Sequence, residues 1–413
     1  MLAHILRLIW NRRRANWLVT IEIAAAFLVV FVVLALSLHA WSNYRQPLGF
    51  IYEDIWRVAV SNDGLGAFPH MLEREARTDR DQVLAALRRL PGVVGAHSIT
   101  STPFVGFWSI TPLGPPRALV WTKVNVLSGA ALKDLRTPVV AGRLFGPEDE
   151  GQDYRAAVVN RAFVDQVFGG KSPIGLRINL PPPGAARMLG GRTPEDVREA
   201  MRETRVVGII EDFRQDGEFS EVVPYAILRE EPIGFVPGDV FVKVAPGTDR
   251  GLEERIVAAV RSAASGYEAT ITPWTELRAS NHVDSLLPFR IGATLAVFLL
   301  AMVALGLIGI VWQDVVRRTQ EIGVRRAAGA RAGAVRSQIL LEVLVIGCAG
   351  VLIGSVLAIQ IPLLSIVKQI DWTAALPALG LSALVILSIA AAAALYPAQL
   401  ASRREPALAL RYE

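Results

Sequence analysis

Cysteine is almost missing from this chain: Cys348 is the only one in 413 residues. No disulfide framework can staple the fold, and no Cys-x-x-Cys metal or redox pair exists. Histidine is nearly as scarce. His4, His39, His70, His97 and His282 are scattered without metal-ligand spacing. No Gly-x-Ser-x-Gly nucleophile turn occurs. Phe168-Gly-Gly-Lys-Ser172 resembles the end of a phosphate-binding loop, but Asp165 stands where the motif needs its first glycine. Pro173 follows where a helix should begin. That segment reads as a turn stopping a helix, and the acidic run Glu148-Asp149-Glu150 reads as a solvated turn. With no catalytic, metal or cofactor motif, the chain is expected to be a non-catalytic membrane subunit.

What the chain has is apolar length, unevenly placed. Four stretches, 17–40, 287–312, 339–361 and 376–396, are each long enough to cross a bilayer core of about 30 Å, which takes about 20 helical residues. The first exceeds an ordinary signal-peptide core of about 7–15 residues and ends in His39-Ala40-Trp41, a poor cleavage site, so it is expected to stay as a span. Roughly 245 residues of soluble-looking sequence separate it from the second. The fold class expected is an α-helical membrane protein with four transmembrane helices, one N-terminal and three C-terminal, plus a large α+β domain outside the bilayer in two lobes.

Charge orients the spans. The sequence pI near 9.5 invites a nucleic-acid reading. Residues 41–288, however, hold 28 Lys/Arg against 31 Asp/Glu, and the rest of the chain 15 against 7. The positive excess therefore belongs to the short membrane flanks and not to a nucleic-acid surface. Arg7, Arg12, Arg13 and Arg14 precede the first span. Arg317, Arg318, Arg325, Arg326, Arg331 and Arg336 sit between the second and third, and Arg403, Arg404 and Arg411 follow the fourth. Both termini and the 313–338 loop are thus expected in the cytoplasm. The 41–286 domain and the 362–375 loop are expected outside. Residues 1–16 carry apolar side chains at helical spacing and read as an amphipathic helix on the inner surface, with 397–413 as a cytoplasmic tail.

Within the outer domain, Asp79–Leu90 reads as a helix with Asp79 as N-cap, and Arg161–Phe168 as a short helix ended by Gly169-Gly170. Gly251–Ser265 reads as an amphipathic helix. Strand signals lie at Val93–Ile99, Ala118–Val126, Pro138–Gly142, Ala156–Asn160, Ile174–Leu180, Val206–Ile210, Asp239–Val244 and Ala269–Pro273. Pro181–Thr204 reads as an insertion. Glu22 and Glu342 lie inside apolar stretches near their cytoplasmic ends; pairing with Arg14 or Arg336 is the favoured reading over a proton relay.

In the 313–338 loop, Glu321 can pair with Arg325 at i+4 on a surface helix, and Gly329 and Gly333 allow a turn. Three segments carry a resemblance. Glu321-Ile-Gly-Val-Arg-Arg-Ala-Ala-Gly-Ala-Arg331, running into Gln338-Ile-Leu-Leu-Glu342, resembles the signature of MacB/FtsX-like ABC transporter permeases. The ending from Tyr396-Pro-Ala-Gln to Arg411-Tyr412 is similar to that family's close. Ala157–Gly175 with Val206-Val-Gly-Ile-Ile-Glu-Asp-Phe213 resembles its periplasmic core domain. The resemblance implies a bacterial inner-membrane permease with its large domain in the periplasm. It implies a second permease protomer, in a homo- or heterodimer, and a cytoplasmic ABC ATPase subunit that binds ATP and Mg on a separate chain. A periplasmic adaptor or carrier protein is a further implied partner, alongside membrane lipids. Glu321, Arg325, Arg326 and Gly329 would form the ATPase-coupling contact. Export driven by mechanotransmission leads. Lipoprotein release, or control of a cell-wall hydrolase without transport, are the alternatives.

Overall fold

The computed structural model describes residues 13–62, 74–106, 109–113, 120–181, 202–230, 239–264, 266–317, 324 and 331–403. The chain divides into a helical unit, Met1–Ser42 with Leu286–Glu413, and a globular unit, Asn43–Ser285.

Four helices build the helical unit: α1 (Arg13–Tyr44), α6 (Trp274–Arg317), α7 (Ala332–Leu363) and α8 (Trp372–Arg403). The first residues of α6 and the last two of α1 belong to the globular unit. Among the described residues these four are long and apolar enough to span a membrane. Their register can be read at glycines. A Cβ on Gly350 would come within 2.5 Å of Ile23 Cγ2, and one on Gly354 within 2.7 Å of Phe27 Cδ1. Residues 23 and 27, and 350 and 354, are each one turn apart. The small-xxx-small notch of α7 therefore takes two successive side chains of α1, the close approach that membrane helices rely on for van der Waals packing. Gly306 faces Glu22 and Gly292 faces Val33, which makes α1 and α6 antiparallel. Gly347 meets Leu387 and Ala390 of α8.

Trp17 and Trp41 are both exposed on α1, and Trp372 and Tyr396 on α8. Each pair is 24 residues apart, or about 36 Å of helix at 1.5 Å per residue. That spacing suits aromatic belts bracketing a hydrocarbon core. Two hydroxyls between the belts are satisfied within their own helices: Ser37 Oγ donates to Val33 O at 2.7 Å and Ser382 Oγ to Ala378 O at 2.7 Å.

The globular unit begins with a four-stranded antiparallel sheet. Strand β1 (Ile55–Asn62) leads through α2 (Arg74–Arg88) to β2 (Val93–Ile99), and β10 (Asp239–Val244) through α5 (Gly251–Ala263) to β11 (Tyr267–Pro273). The order is β11-β1-β10-β2. This is a ferredoxin-like βαββαβ arrangement with everything from 100 to 238 inserted between its second and third strands. Leu252, Ile256 and Val260, four residues apart on α5, join Val83, Leu84 and Leu87 of α2 over the sheet residues Val58, Ala96, Val240 and Val242.

The inserted lobe is a mixed sheet built from β3 (Ser109–Leu113), β4 (Val120–Leu127), β5 (Val139–Gly142), β6 (Arg155–Asn160), β7 (Arg177–Ile178), β8 (Thr204–Ile210) and β9 (Tyr225–Arg229). Its order is β3-β4-β9-β6-β8-β5, with β7 also on β8. Two helices belong to it, α3 (Gly129–Asp134) and α4 (Arg161–Phe168). Asn160 caps α4 by accepting from Phe163 N at 2.9 Å, and Gly169 at φ +58 ends it. Strand β6 is buried along its whole length, as a central strand must be. One core cluster is shared by both lobes: Ile55, Ile99, Phe241 and Trp274 from the lower, Leu127, Phe145, Tyr225 and Ile227 from the upper.

Several expectations change. The helix expected at Asp79 begins at Arg74, so Asp79 lies inside it and caps nothing. Its apolar signal marks only the packed half of the helix. The strand expected over Ile174–Leu180 shrinks to Arg177–Ile178 because Gly175, at φ +88, turns the chain first. Three strands, β1, β3 and β9, had no expected counterpart. The base of the 181–204 insertion is closed by Thr204 Oγ1 donating to Leu180 O at 2.9 Å; residues 182–201 lie outside the described residues, as do 1–12 of the expected amphipathic helix.

Gly354→Leu should lower the stability of the helical unit by about 1–3 kcal/mol through overpacking against Phe27. Gly380, with nothing within 4 Å of its Cβ position, is the control. Thermal unfolding in detergent should show a depressed midpoint for the first and an unchanged one for Gly380→Leu.

Candidate functional site

The residues expected to form the ATPase-coupling contact, Glu321, Arg325, Arg326 and Gly329, lie outside the described residues. What is described is the frame around them: α6 ends at Arg317 and α7 begins at Ala332, preceded by Arg331 in extended conformation. Glu342 accepts from Gln338 Nε2 at 3.2 Å, one turn earlier on α7. Glu22 is half-buried with its carboxylate over Gly306, five residues past Trp17 and so about 7.5 Å along the helix from that belt residue. Neither acid stands at mid-membrane.

The acidic run is not a solvated turn throughout. Asp149 is fully buried in a short 3-10 turn, where it accepts from both Arg143 Nη1 and Nη2 at 2.7 Å and from Gly146 N at 3.0 Å. Arg143 lies outside the run, so sequence spacing alone could not reveal the pairing. Among the described residues no group of three or more His, Cys, Asp or Glu side chains could hold a metal ion.

In the globular unit the polar side chains converge on Glu211–Ser220, the segment leaving β8. Arg214 is buried, and its guanidinium donates to four backbone carbonyls: Asn43 in the last turn of α1, Gln46 just past its end (3.2 Å), and Glu218 and Ser220 at 2.6 Å. Glu218 is also buried. Its Oε1 accepts from Arg278 Nε at 2.5 Å and its Oε2 pairs with His282 Nε2 at 2.8 Å, both residues on α6. Burial would push the Glu218 carboxyl up, but hydrogen bonds from His282 and Arg278 outweigh it and hold it below its ordinary value. Phe219 stacks on Tyr44 at 5.3 Å, and Arg278 lies over the Tyr52 ring at 4.6 Å. Gln215 joins Tyr225, Asn125 and Ser101 in a buried hydrogen-bond network, and Asp216 pairs with Lys123. The sequence reading stopped at Phe213, the last residue of the family-like segment, and missed this cluster. The signal available was eight polar or glycine residues among the ten that follow an apolar strand.

A second cluster ties the lobes. His97 on β2 pairs through Nε2 with Asp134 at 2.7 Å and through Nδ1 with Ser128 Oγ at 3.2 Å. Lys243 also reaches Asp134, and Gly95 leaves the space: a Cβ there would sit 2.4 Å from Asp134 Oδ2. Burial depresses the His97 pKa against the opposing pull of Asp134. A neutral ring donating to Asp134 and accepting from the Ser128 hydroxyl satisfies all three groups. The order Ser-His-Asp resembles a nucleophilic triad, but Ser128 Oγ is already engaged by Ala131 N at 3.2 Å as the N-cap of α3. Its work is to join α3 to β2.

Residues 18–259 match the MacB-like periplasmic core domain, and residues 293–406 match the FtsX-like permease C-terminal domain. The chain belongs to the MacB/FtsX-type ABC transporter permease family. It is 28% identical over 400 residues to the macrolide export ATP-binding/permease protein MacB of Bdellovibrio bacteriovorus, covering 92% of this chain and 57% of that protein. It is 26% identical over 288 residues to the pyoverdine export ATP-binding/permease protein PvdT of Pseudomonas entomophila, covering 67% of this chain and 41% of that one. The chain thus spans about half the length of the curated relatives it matches. Among solved structures, the periplasmic region of MacB from Actinobacillus actinomycetemcomitans aligns with 56% of this chain and 94% of that one, at 12% identity and a TM-score of 0.37, too low for any detail to be carried across.

As a member of this permease family, the protein is a membrane protein with a periplasmic domain, and the globular unit falls within the periplasmic-core match as far as residue 259. Its acid response follows from the two clusters. Glu218 has its folded pKa depressed, so its contribution is present above the ordinary carboxylate range and lost as pH falls through the folded value. His97 is also depressed, from 6.5, so the unfolded chain takes up its proton first and stability is lost as pH drops below that value. The thermal midpoint of the globular unit should therefore fall between about pH 7 and about pH 5, with a further fall at lower pH. His97→Gln should flatten the first step and leave the second, as followed by tryptophan fluorescence during heating.

Proposed function

We propose that this chain is the transmembrane subunit of an ABC exporter that works by mechanotransmission. A separate cytoplasmic ATPase binds ATP and Mg, docks on the 313–338 loop and drives a rearrangement of the membrane helices. The chain continues through α1 and α6 into the periplasmic domain, which moves in response and displaces a substrate already outside the bilayer. Both termini are cytoplasmic in this reading, and two permease protomers pair. A periplasmic adaptor or carrier takes the substrate onward.

The single observation that supports it most is the arrangement along the chain. A periplasmic-core match covers residues 18–259, and an FtsX-like match covers 293–406. Between them runs one helix, Trp274–Arg317, with no break in its described course. An α-helix transmits axial displacement through its backbone hydrogen bonds, of which Pro288 removes one from this helix. The relatives named for macrolide and pyoverdine export favour export over the other family roles, and the arginine-rich inner flanks support the orientation.

Within the docking loop, Glu321, Arg325, Arg326 and Gly329 are the residues assigned to the ATPase contact. Reversing a charge in such a contact places like charges together and suppresses association. Crosslinking in cells followed by mild-detergent purification should recover an ABC ATPase and a periplasmic partner. Reproducible recovery of no ATPase would overturn the assignment. Glu321→Lys should leave membrane insertion intact and abolish stimulation of the ATPase by the permease; unchanged stimulation would remove the loop from the mechanism.

A further inference from the structure

The Glu211–Ser220 segment lies where three parts of the globular unit meet, and its two buried charged residues point in different directions. Arg214 faces the end of α1. The last carbonyls of a helix have no partner within it, and a cation there also meets the negative end of the helix dipole. Arg214 serves Asn43 O in α1 and, past the helix end, Gln46 O. Glu218 faces α6. Arg278 and His282, four residues apart, lie on one face of that helix and close on the two oxygens of a single carboxylate.

The backbone between the two leaves little slack. Gly217 adopts φ +90, and a Cβ there would stand 2.5 Å from Asn281 Oδ1 on the same helix. Phe104 N donates to Gln215 O at 2.9 Å, and Phe213 packs into the shared core at 4.5 Å from Phe50. At its other end the segment continues β8, which lies between β6 and β5. Other polar ties on the first turns of α6 are weaker. Arg250 to Glu276 spans 3.5 Å between exposed side chains, a pair of small value in water.

We propose that Glu211–Ser220 is the joint through which displacement of α1 and α6 reaches the seven-stranded sheet, with Arg214 and Glu218 as its positioning residues. The proposal rests on the mechanotransmission reading and assigns it a place. Arg214 holds α1 to the segment by adding a second hydrogen bond to Asn43 O, which also accepts from Gln46 N, and one to Gln46 O just past the helix. Glu218 holds α6 through two charge-assisted bonds. A movement of either helix along its axis pulls on the same ten residues, and β8 carries it into the sheet.

The test uses the full chain in lipid nanodiscs together with its purified ATPase, in a Cys348→Ala background, with spin labels at two exposed positions, Ser280 on α6 and Lys171 after α4. Pulsed electron spin resonance should give one narrow distance that shifts on addition of ATP and Mg. In Glu218→Ala the distance should broaden and the ATP-dependent shift should be lost. Glu218→Gln, which keeps an acceptor for Arg278, should restore part of it. A second label pair within the inserted lobe, Lys133 with Lys171, should stay unchanged in every variant and so separate loss of the joint from loss of the fold. If Glu218→Ala does not accumulate, the double variant Arg278→Gln with His282→Gln, made on the helix side of the contact, should show the same loss. An ATP-dependent shift in Glu218→Ala equal to that of the unaltered chain would overturn the joint and leave the permease reading standing. No shift in the unaltered chain would overturn the mechanotransmission reading and the joint with it.

Discussion

A guanidinium taken out of water has to be surrounded by acceptors, and Arg214 organises much of the globular unit by that requirement. Four carbonyls from two chain segments far apart in sequence answer it at the two terminal nitrogens, while Nε is buried without a partner among the described residues. Among the described residues no carboxylate forms an ion pair with it, and burial lowers its proton affinity. Removing a buried charge from its partners costs several kcal/mol, so the carbonyls and the arginine hold one another in place. The chain around it adapts. Gly49 takes φ +81 because its Cβ position lies 2.4 Å from Asp212 O, a path closed to any side chain. Arg214 N donates in turn to Leu48 O at 2.9 Å. The turn after α1 and the segment after β8 are therefore a single construction.

The large divisions of this molecule were legible because they rest on composition. Membrane-length apolar stretches announce themselves, and Arg161–Phe168 was readable to the residue because both of its ends carry strong local signals, Asn160 and Gly169. What stayed hidden was long-range. Strand β9, Tyr225–Arg229, is buried almost throughout and gives no alternation, and β1 leaves the membrane flank without a turn signal. Asp149 looked solvated because its neighbours Glu148 and Glu150 are; its burial depends on Arg143 folding back across Leu144–Gly146. The candidate site was half legible. The proposed docking loop is marked in the sequence by its arginines, and its assigned residues lie outside the described ones. The Glu218 cluster unites residues 60 and 64 positions apart, and no local pattern foretells such a meeting.

The membrane unit meets a different constraint. With lipid as solvent, burying apolar area supplies no drive between helices, and close contact has to supply it. The notch at Gly350 and Gly354 serves this end, and so does the accommodation of Glu22 over Gly306. Outward, Leu18, Leu305, Leu352 and Leu384 are each more than three-fifths exposed, the reverse of a water-soluble surface. The same chain thus carries two packing economies. In the globular unit hydrogen-bonded polar networks and a few paired or carbonyl-bound charges lie inside; in the helical unit glycines admit Ile23 and Phe27 inside while many large aliphatic side chains face outward.

The lower lobe has one more property. The chain departs from β2 at Ile99 and comes back on β10 at Asp239, and those two residues face each other across adjacent antiparallel strands. Neighbours in such a ladder have Cα atoms about 4.5–5.5 Å apart. A graft with termini that close can be exchanged without disturbing the host's strand order, the geometry that lets one domain sit inside another. The upper lobe is therefore a cassette. Such a lobe can be replaced or enlarged while the base keeps its four strands, provided the newcomer still offers an apolar face to Ile99, Phe241 and Trp274.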